Sequence, residues 1–326
     1  MRTLLVALLL AGSQLLATPS PDALAKAVSL EKNIVAWYTR DGLLTRCLFS
    51  GSGFPTSDLD HENNGMLTAF YVAAEAYRYQ ATGDGEALAR LRSSLAALQQ
   101  LSEVTGVPHL PAQSFRKGGN IPQDWRRTGD VGWVAHRPAF SPMLVGILFA
   151  ASALDEAGLL ATEGKVLVER YLLPIAAELK AGHDVLRNQG RPLPEISLSP
   201  DLLGTPILAH LALFQLAWYG MTAKATGDPA WAAYVNEELV GKRHFDEVIL
   251  HNWRLNLGYK RVPKCDLFFL AFIPALRTLP ALRKNLEQAM ARAWDEGKGM
   301  RELAASDNAL FALARRRGGE RTGEID

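Results

Sequence analysis

Apolar residues recur at helical spacing along almost the whole chain, and the connections left between the implied helices alternate between tight and long. Nine helices are expected at about Asp22 to Arg40, Asn64 to Ala81, Gly85 to Glu103, Ser141 to Glu156, Ala161 to Asn188, Gly204 to Ala225, Pro229 to Val240, Asp266 to Leu276 and Ala281 to Asp295, with a weak last one from Arg301 to Arg315. Ser20 and Pro21 form the expected cap and first turn of the first helix. The second carries Leu67, Phe70, Tyr71, Ala74, Tyr77 and Ala81 on one stripe. No period-two segment of useful length stands out, so the expected class is all-α.

Tight turns join the second helix to the third, the fourth to the fifth, the sixth to the seventh and the eighth to the ninth. Long segments, at residues 42–63, 104–140, 189–203 and 241–265, make the other connections. A tight turn sets its two helices antiparallel, so strict alternation gathers the long segments at one end of the molecule. Ala81-Thr82-Gly83-Asp84 recurs as Ala225-Thr226-Gly227-Asp228, with the glycine suited to end one helix in a left-handed conformation and the aspartate to cap the next.

The second, fourth, sixth and eighth helices are apolar or alanine-rich on most of their circumference, as in Met143 to Phe149 and Leu267 to Phe272. The third, fifth, seventh and ninth each carry a charged face, including Arg90, Arg92, Glu163, Lys165, Glu169, Glu237, Arg283, Lys284 and Glu287. An apolar inner ring wrapped by an amphipathic outer ring is an α/α toroid, here of about ten helices.

With 326 residues and 48% apolar side chains the chain can build one large core, expected over residues 18–316, with a frayed charged tail at 317–326. Lysine and arginine number 35 against 34 acids, which leaves no net field to gather nucleic acid or anionic membrane. Met1-Arg2 followed by the apolar run Leu4 to Ala11 reads as a signal peptide, residues 1–17, cut after Ala17 or after Ser13. The alternative is a membrane anchor, but the run falls short of the roughly 20 residues that a bilayer span takes. The expected location is outside the cytoplasm, with no integral membrane segment after cleavage. Cys47 and Cys265 allow one bridge and have no neighbours at zinc-ligand spacing, so no metal is expected.

The stretch Glu62-Asn63-Asn64-Gly65-Met66-Leu67-Thr68-Ala69-Phe70-Tyr71, with Ala73-Ala74-Glu75, Tyr77-Arg78-Tyr79, Ala81-Thr82-Gly83-Asp84, Val104 to Pro108 and Ser114-Phe115-Arg116, resembles the six-hairpin glycosidase-like proteins of bacteria. Asp266 to Phe272 gives a second match, and together they span about half of the mature chain. The resemblance implies a toroid and carbohydrate chemistry. Relatives open the second helix with Asp-Asn-Asp-Gly, whereas Asn64 stands here in place of the later acid. Ser141-Pro142-Met143 replaces acids expected at the fourth helix, and Gln113 replaces an arginine.

Helix N-termini at the long-segment end expose unpaired amides and a positive dipole end. Asp60, His61, Glu62, Asn63 and Asn64 gather at the first of them. Asp60 and Glu62 are the candidate acid and base for glycosidic chemistry, with His61 and the asparagines in contact with sugar hydroxyls. The competing reading is that Asn63 or Asn64 simply caps the helix. The longest connection supplies Arg116, Trp125, Trp133 and His136, suited to stack on a sugar ring and pair with an acidic group, or else to lid the mouth of the ring. Asp266 is a further candidate contact. Residues 241–265 offer His244, Asp246, His251 and Tyr259 for a lyase, a weaker reading, and His183 and His210 read as core or surface. No phosphate loop, nucleophile elbow or His-Glu-x-x-His pattern is present, so no cofactor is expected. The expected function is a carbohydrate-active toroid, a glycoside hydrolase on an acidic glycan. The alternative is a non-catalytic toroid that binds sugar or protein.

Overall fold

The Thr-Gly-Asp turns are built alike, bond for bond. Gly83 (φ 67°) donates to Tyr79 O at 2.7 Å and Gly227 (φ 69°) to Ala223 O at 2.9 Å, each a left-handed helix stop. Asp84 Oδ1 accepts from Glu86 N at 2.8 Å and Asp228 Oδ1 from Ala230 N at 2.9 Å, each an N-cap. Thr82 and Thr226 both donate back to the residue four before them, at 2.7 and 2.8 Å, and both accept from the capping aspartate's N–H at 3.2 Å. The repetition read from the sequence is therefore physical.

A computed structural model describes residues 21–49, 55–60, 63–107, 109–117, 125–127, 133–138, 141–182, 187–188, 191–192, 209–252 and 269–296. These are mostly helical. Helix α1 (Pro21–Asn33) runs into a π-helical turn, Ile34–Tyr38. Strands β1 (Thr39–Arg40) and β2 (Leu43–Leu44) form a hairpin, as do β3 (Arg46–Phe49) and β4 (Pro55–Asp60). Helices α2 (Asn64–Thr82) and α3 (Gly85–Glu103) follow, then β5 (Ala112–Lys117), β6 (Trp125–Arg127) and β7 (Trp133–Pro138), a three-stranded antiparallel sheet ordered β5-β7-β6. Next come α4 (Ser141–Glu156), α5 (Lys165–Leu167), a π turn (Val168–Leu172), α6 (Leu173–Ala181), and the small hairpin of β8 (Arg187–Asn188) and β9 (Arg191–Pro192). The last elements are α7 (Ala209–Thr226), α8 (Pro229–Ala233) with its π continuation Tyr234–Lys242, α9 (Phe245–Asn252), α10 (Phe272–Thr278) and α11 (Arg283–Glu296).

Several expectations need correction. The described fold is mostly helical with little strand, as the all-α class expects, but the connections 42–63, 104–140 and 189–203 carry short antiparallel strands where no strand was expected. The first helix stops at Tyr38, because Thr39 and Arg40 turn into β1. The fifth was expected to run unbroken from Ala161 to Asn188, but it begins at Lys165, bulges at Val168–Leu172 and ends at Ala181. Pro174 has no N–H to give the carbonyl four residues back, and a π turn just before it absorbs the interruption. Helix α9 occupies the connection 241–265 and packs on α7 and α11. Arg301 to Arg315 and Cys265 lie outside the described residues.

Helices α2, α4, α7 and α10 are the buried ones. Every residue of α7 from Ala209 to Thr222 is buried, and α4 is fully buried from Met143 through Leu154. They touch in series, α2 on α4, α4 on α7 and α7 on α10, with α10 also reaching α4. A Cβ added at Gly146 of α4 would stand 3.1 Å from Met66 O and 3.3 Å from Met66 Cα, so the α2–α4 approach depends on a missing side chain.

The last turns of these four helices meet in one polar cluster. Tyr77 of α2 donates to Glu156 Oε2 at 3.3 Å, and Gln80 donates to Glu156 O at 2.9 Å. Arg277 of α10 and Lys224 of α7 each lie 2.8 Å from Asp155 Oδ2 of α4, and Arg277 also approaches Glu156 at 3.3 Å. Cations at helix C-termini and a carboxylate shared between two of them tie the four ends together. Outside them, Tyr171 of the π turn donates to Leu98 O of α3, Trp218 donates to Leu172 O at 3.0 Å, and Arg92 of α3 grips Glu163 through two bonds of 2.8 and 2.6 Å. No helix among the described residues is long and apolar enough to cross a membrane.

Candidate functional site

Where the four buried helices begin, the first-turn amides have no intrahelical partners. The start of α2 is the most elaborated of these ends. Asn63 sits at its cap position in a left-handed conformation (φ 63°, ψ 18°), and its side chain makes no capping bond. Capping therefore fails to explain it. Asn64 is fully buried: Nδ2 donates to Ser114 Oγ of β5 at 2.9 Å, and its backbone oxygen accepts from Thr68 Oγ1 at 2.7 Å. Thr68 Oγ1 in turn accepts from Leu44 N at 2.8 Å, so β2, α2 and β5 are tied through two short polar side chains.

The carboxamide oxygens of Asn63 and Asn64 are both buried and have no hydrogen-bond partner among the described residues. A buried acceptor left unpaired costs about 1–3 kcal/mol, so these two oxygens call for a donor beyond the described residues.

The sheet beside this helix start orders the other candidates. Ser114 is paired with His136, and His136 on its other side with Trp125, so these three form one row across β5, β7 and β6. Arg116, Val134 and Arg127 form another. Rows two residues apart share a face of a pleated sheet. The two rows are thus of one set, the set that contains Ser114, which meets Asn64. Phe115, Ala135 and Arg126 occupy the row between, and Lys117 pairs with Trp133 in a row of that same alternate set. Strand register thus puts the positions of Arg116, Trp125 and His136 in the same set of rows as Ser114, which meets Asn64 beside Asn63, and the position of Trp133 in the alternate set. Asp60 ends β4 opposite Arg46, three positions before Asn63. His61, Glu62 and Asp266 lie outside the described residues, as do Tyr259 and His183.

Ser114 and Gln113 are the polar residues that the sequence reading did not place in the site. Both are buried, at 0% and 7% exposure. The available signal was their place beside Arg116 in the stretch that carries the resemblance. His210 opens α7 at the same end as Asn64 opens α2, and burial holds its imidazole down to a pKa of about 4, so it is neutral near pH 7. Of the lyase candidates, His244, Asp246 and His251 lie at or beside α9. Asp246 accepts from Asn285 at 3.2 Å and joins α9 to α11, while His251 is exposed at the far end of α9.

No family model, curated protein or solved structure matches this chain. The site must therefore be judged on its own chemistry. It offers two unpaired carbonyl acceptors, a buried hydroxyl, helix-start amides and a half-buried guanidinium at Arg116. No group of three or more histidine, cysteine, aspartate or glutamate side chains suited to a metal occurs among the described residues.

Proposed function

We propose that this chain is an exported α/α toroid of the six-hairpin glycosidase-like kind that takes an acidic carbohydrate at the start of α2. The contacts of α2, α4, α7 and α10 in series and the shared meeting point of their C-termini support the ring. The observation that carries the ligand class is the pair of buried, unpaired carboxamide oxygens on Asn63 and Asn64. Sugar hydroxyls donate to such acceptors, and Arg116 supplies the counter-charge for a uronate or sulfate. In the catalytic version Asp60 and Glu62 are the acid and base. The binding-only version draws on the amide at Asn64, which is fixed by Ser114 and cannot move a proton in place of an acid.

The test is thermal stabilisation by uronate-bearing and neutral oligosaccharides, run beside an assay for new reducing ends. Binding at 100 times Kd adds about 2.7 kcal/mol of stability. Uronate oligosaccharides are expected to raise the melting temperature of the wild type and not of Asn64→Ala, and Arg116→Gln is expected to abolish the preference for acidic over neutral sugars. Turnover that Glu62→Gln eliminates establishes the catalytic version, and binding without turnover the other. A wild type that no sugar stabilises would remove both.

A further inference from the structure

At the opposite end of α2, a second constellation of charged groups has no part in that site. Among the described side chains of Pro21–Tyr38, only Glu31 is buried, at 7% exposure. Leu30, Val35 and Trp37 of the same segment are 55%, 41% and 52% exposed. Among its described side chains, the buried anchor to the body is the Glu31 carboxylate. It pairs with Arg78 of α2 and Arg90 of α3 and lies 3.5 Å from the Tyr71 hydroxyl, which donates to it. The chain beyond Tyr38 is fixed independently. Gly42 (φ 79°) turns the β1–β2 hairpin so close to α3 that an added Cβ would stand 3.0 Å from Ala97 Cβ and Ser93 O, and Leu43 is buried.

A second carboxyl competes for the same socket. Glu75 of α2, 3% exposed, lies 3.4 Å from the Arg78 Nη1 that also serves Glu31. Asp84 takes the other nitrogen of Arg78, and Glu86 the other nitrogen of Arg90. Four acids thus face two guanidiniums and one phenol, and the acid with the least access to water is Glu75.

We propose that residues 21–38 form a strap clasped to the body through Glu31, and that the proton on Glu75 sets how firmly the clasp holds. With Glu75 neutral, both guanidiniums are left to Glu31, Asp84 and Glu86. With Glu75 ionised, two carboxylates share Arg78 Nη1 and repel each other across it, and releasing the strap relieves both the repulsion and the burial. Burial first, and then the Glu31 charge, push Glu75 up to about 7 in the clasped state. The clasped state therefore binds the Glu75 proton more tightly than the released state. Strap opening rises with pH from near the ordinary glutamate value up to about 7 and is level above it.

Hydrogen exchange of the full chain, corrected for intrinsic rates, reads this directly. One linked proton allows up to about tenfold per pH unit in the opening equilibrium. Amides of residues 25–38 are expected to lose protection at least tenfold between pH 5 and pH 7.5, while those of α3 keep theirs. Glu75→Gln is expected to remain protected at both pH values, and Glu31→Gln to be open at both with α3 unaffected. Equal protection of the wild-type strap at pH 5 and pH 7.5 overturns the proposal, as does a Glu75→Gln strap that opens with the wild-type profile. A Glu31→Gln strap that stays closed shows that something other than the clasp holds it. Should Glu75→Gln fail to fold, trypsin cleavage of the wild type at the exposed Lys26 and Lys32, normalised to an unfolded control at each pH, gives the same comparison.

Discussion

Gly146→Ala and Gly85→Ala are the same chemical change with opposite expected signs. Both glycines lie in helices, where alanine is favoured by about 0.5–1 kcal/mol. At Gly85 nothing stands within 4 Å of an added Cβ, so the full gain is expected. At Gly146 the added carbon meets Met66 O at 3.1 Å and Met66 Cα at 3.3 Å. Those are backbone atoms, and this part of α2 cannot easily yield. Asn64 is tied to Ser114, Thr68 is tied to Leu44 N, and Gly65 already lies against Met143 and Leu101. Overpacking of this kind costs about 1–3 kcal/mol. The net for Gly146→Ala is a loss of roughly 1–2 kcal/mol after the helix gain is subtracted. Urea midpoints at unchanged m-value, or melting temperatures moving by about 2–4 °C per kcal/mol, measure both variants. A Gly146→Ala protein as stable as Gly85→Ala would mean that α2 and α4 do not approach as described.

Two further outcomes follow from charged and titrating groups. Burial pushes the Asp155 carboxyl up, but hydrogen bonds from Arg277 and Lys224 outweigh it and hold the pKa below the ordinary 3.8; its contribution is thus present above that value and lost as pH falls through the lowered one, and Asp155→Asn is expected to cost about 1–3 kcal/mol near pH 7 and nothing extra near pH 2, checked by urea titration at each pH. His210, held down to about 4 from 6.5 by burial, takes its proton in the unfolded chain first, so stability falls as pH drops from 6.5 toward 4, by on the order of 2–3 kcal/mol. His210→Gln is expected to flatten that part of the profile, and an unchanged slope would show that the imidazole is not desolvated.

Legibility in the sequence followed the length and regularity of each element. Gly85–Glu103 and Ser141–Glu156 emerge with the expected ends, because long apolar periodicity and a capping Asp84 or a Ser-Pro start leave little choice. The strands escaped notice because most are too short to show alternation and a longer one does not alternate. Trp125–Arg127 has three residues, and Ala112–Lys117 buries Gln113, Ser114 and Phe115 in succession, which erases a period of two. Helix α9 is different: Phe245, Val248 and Ile249 are spaced for a helix, but eight residues inside a long connection gave too little to separate it from a loop. The site was legible as residue types near the start of α2. Its order was not, since the row joining Ser114, His136 and Trp125 depends on strand register.

The two ends of the buried helices differ in a way that bears on the ligand. At the C-terminal end, the negative dipole ends have Lys224 and Arg277 beside them, and those cations are shared with Asp155 and Glu156. At the other end the described residues carry no such pair of cations: Asn63 and Asn64 are uncharged, burial keeps His210 neutral, and the charged residues near the start of α2 are Asp60 and Arg116. On the proposed reading, a hydroxyl-bearing anion gives its donors to the amide oxygens and its charge to the helix starts and Arg116. If a neutral sugar stabilised the protein as well as its uronate counterpart at low salt, the dipole and Arg116 would have no part in recognition, and the case for an acidic ligand would fail.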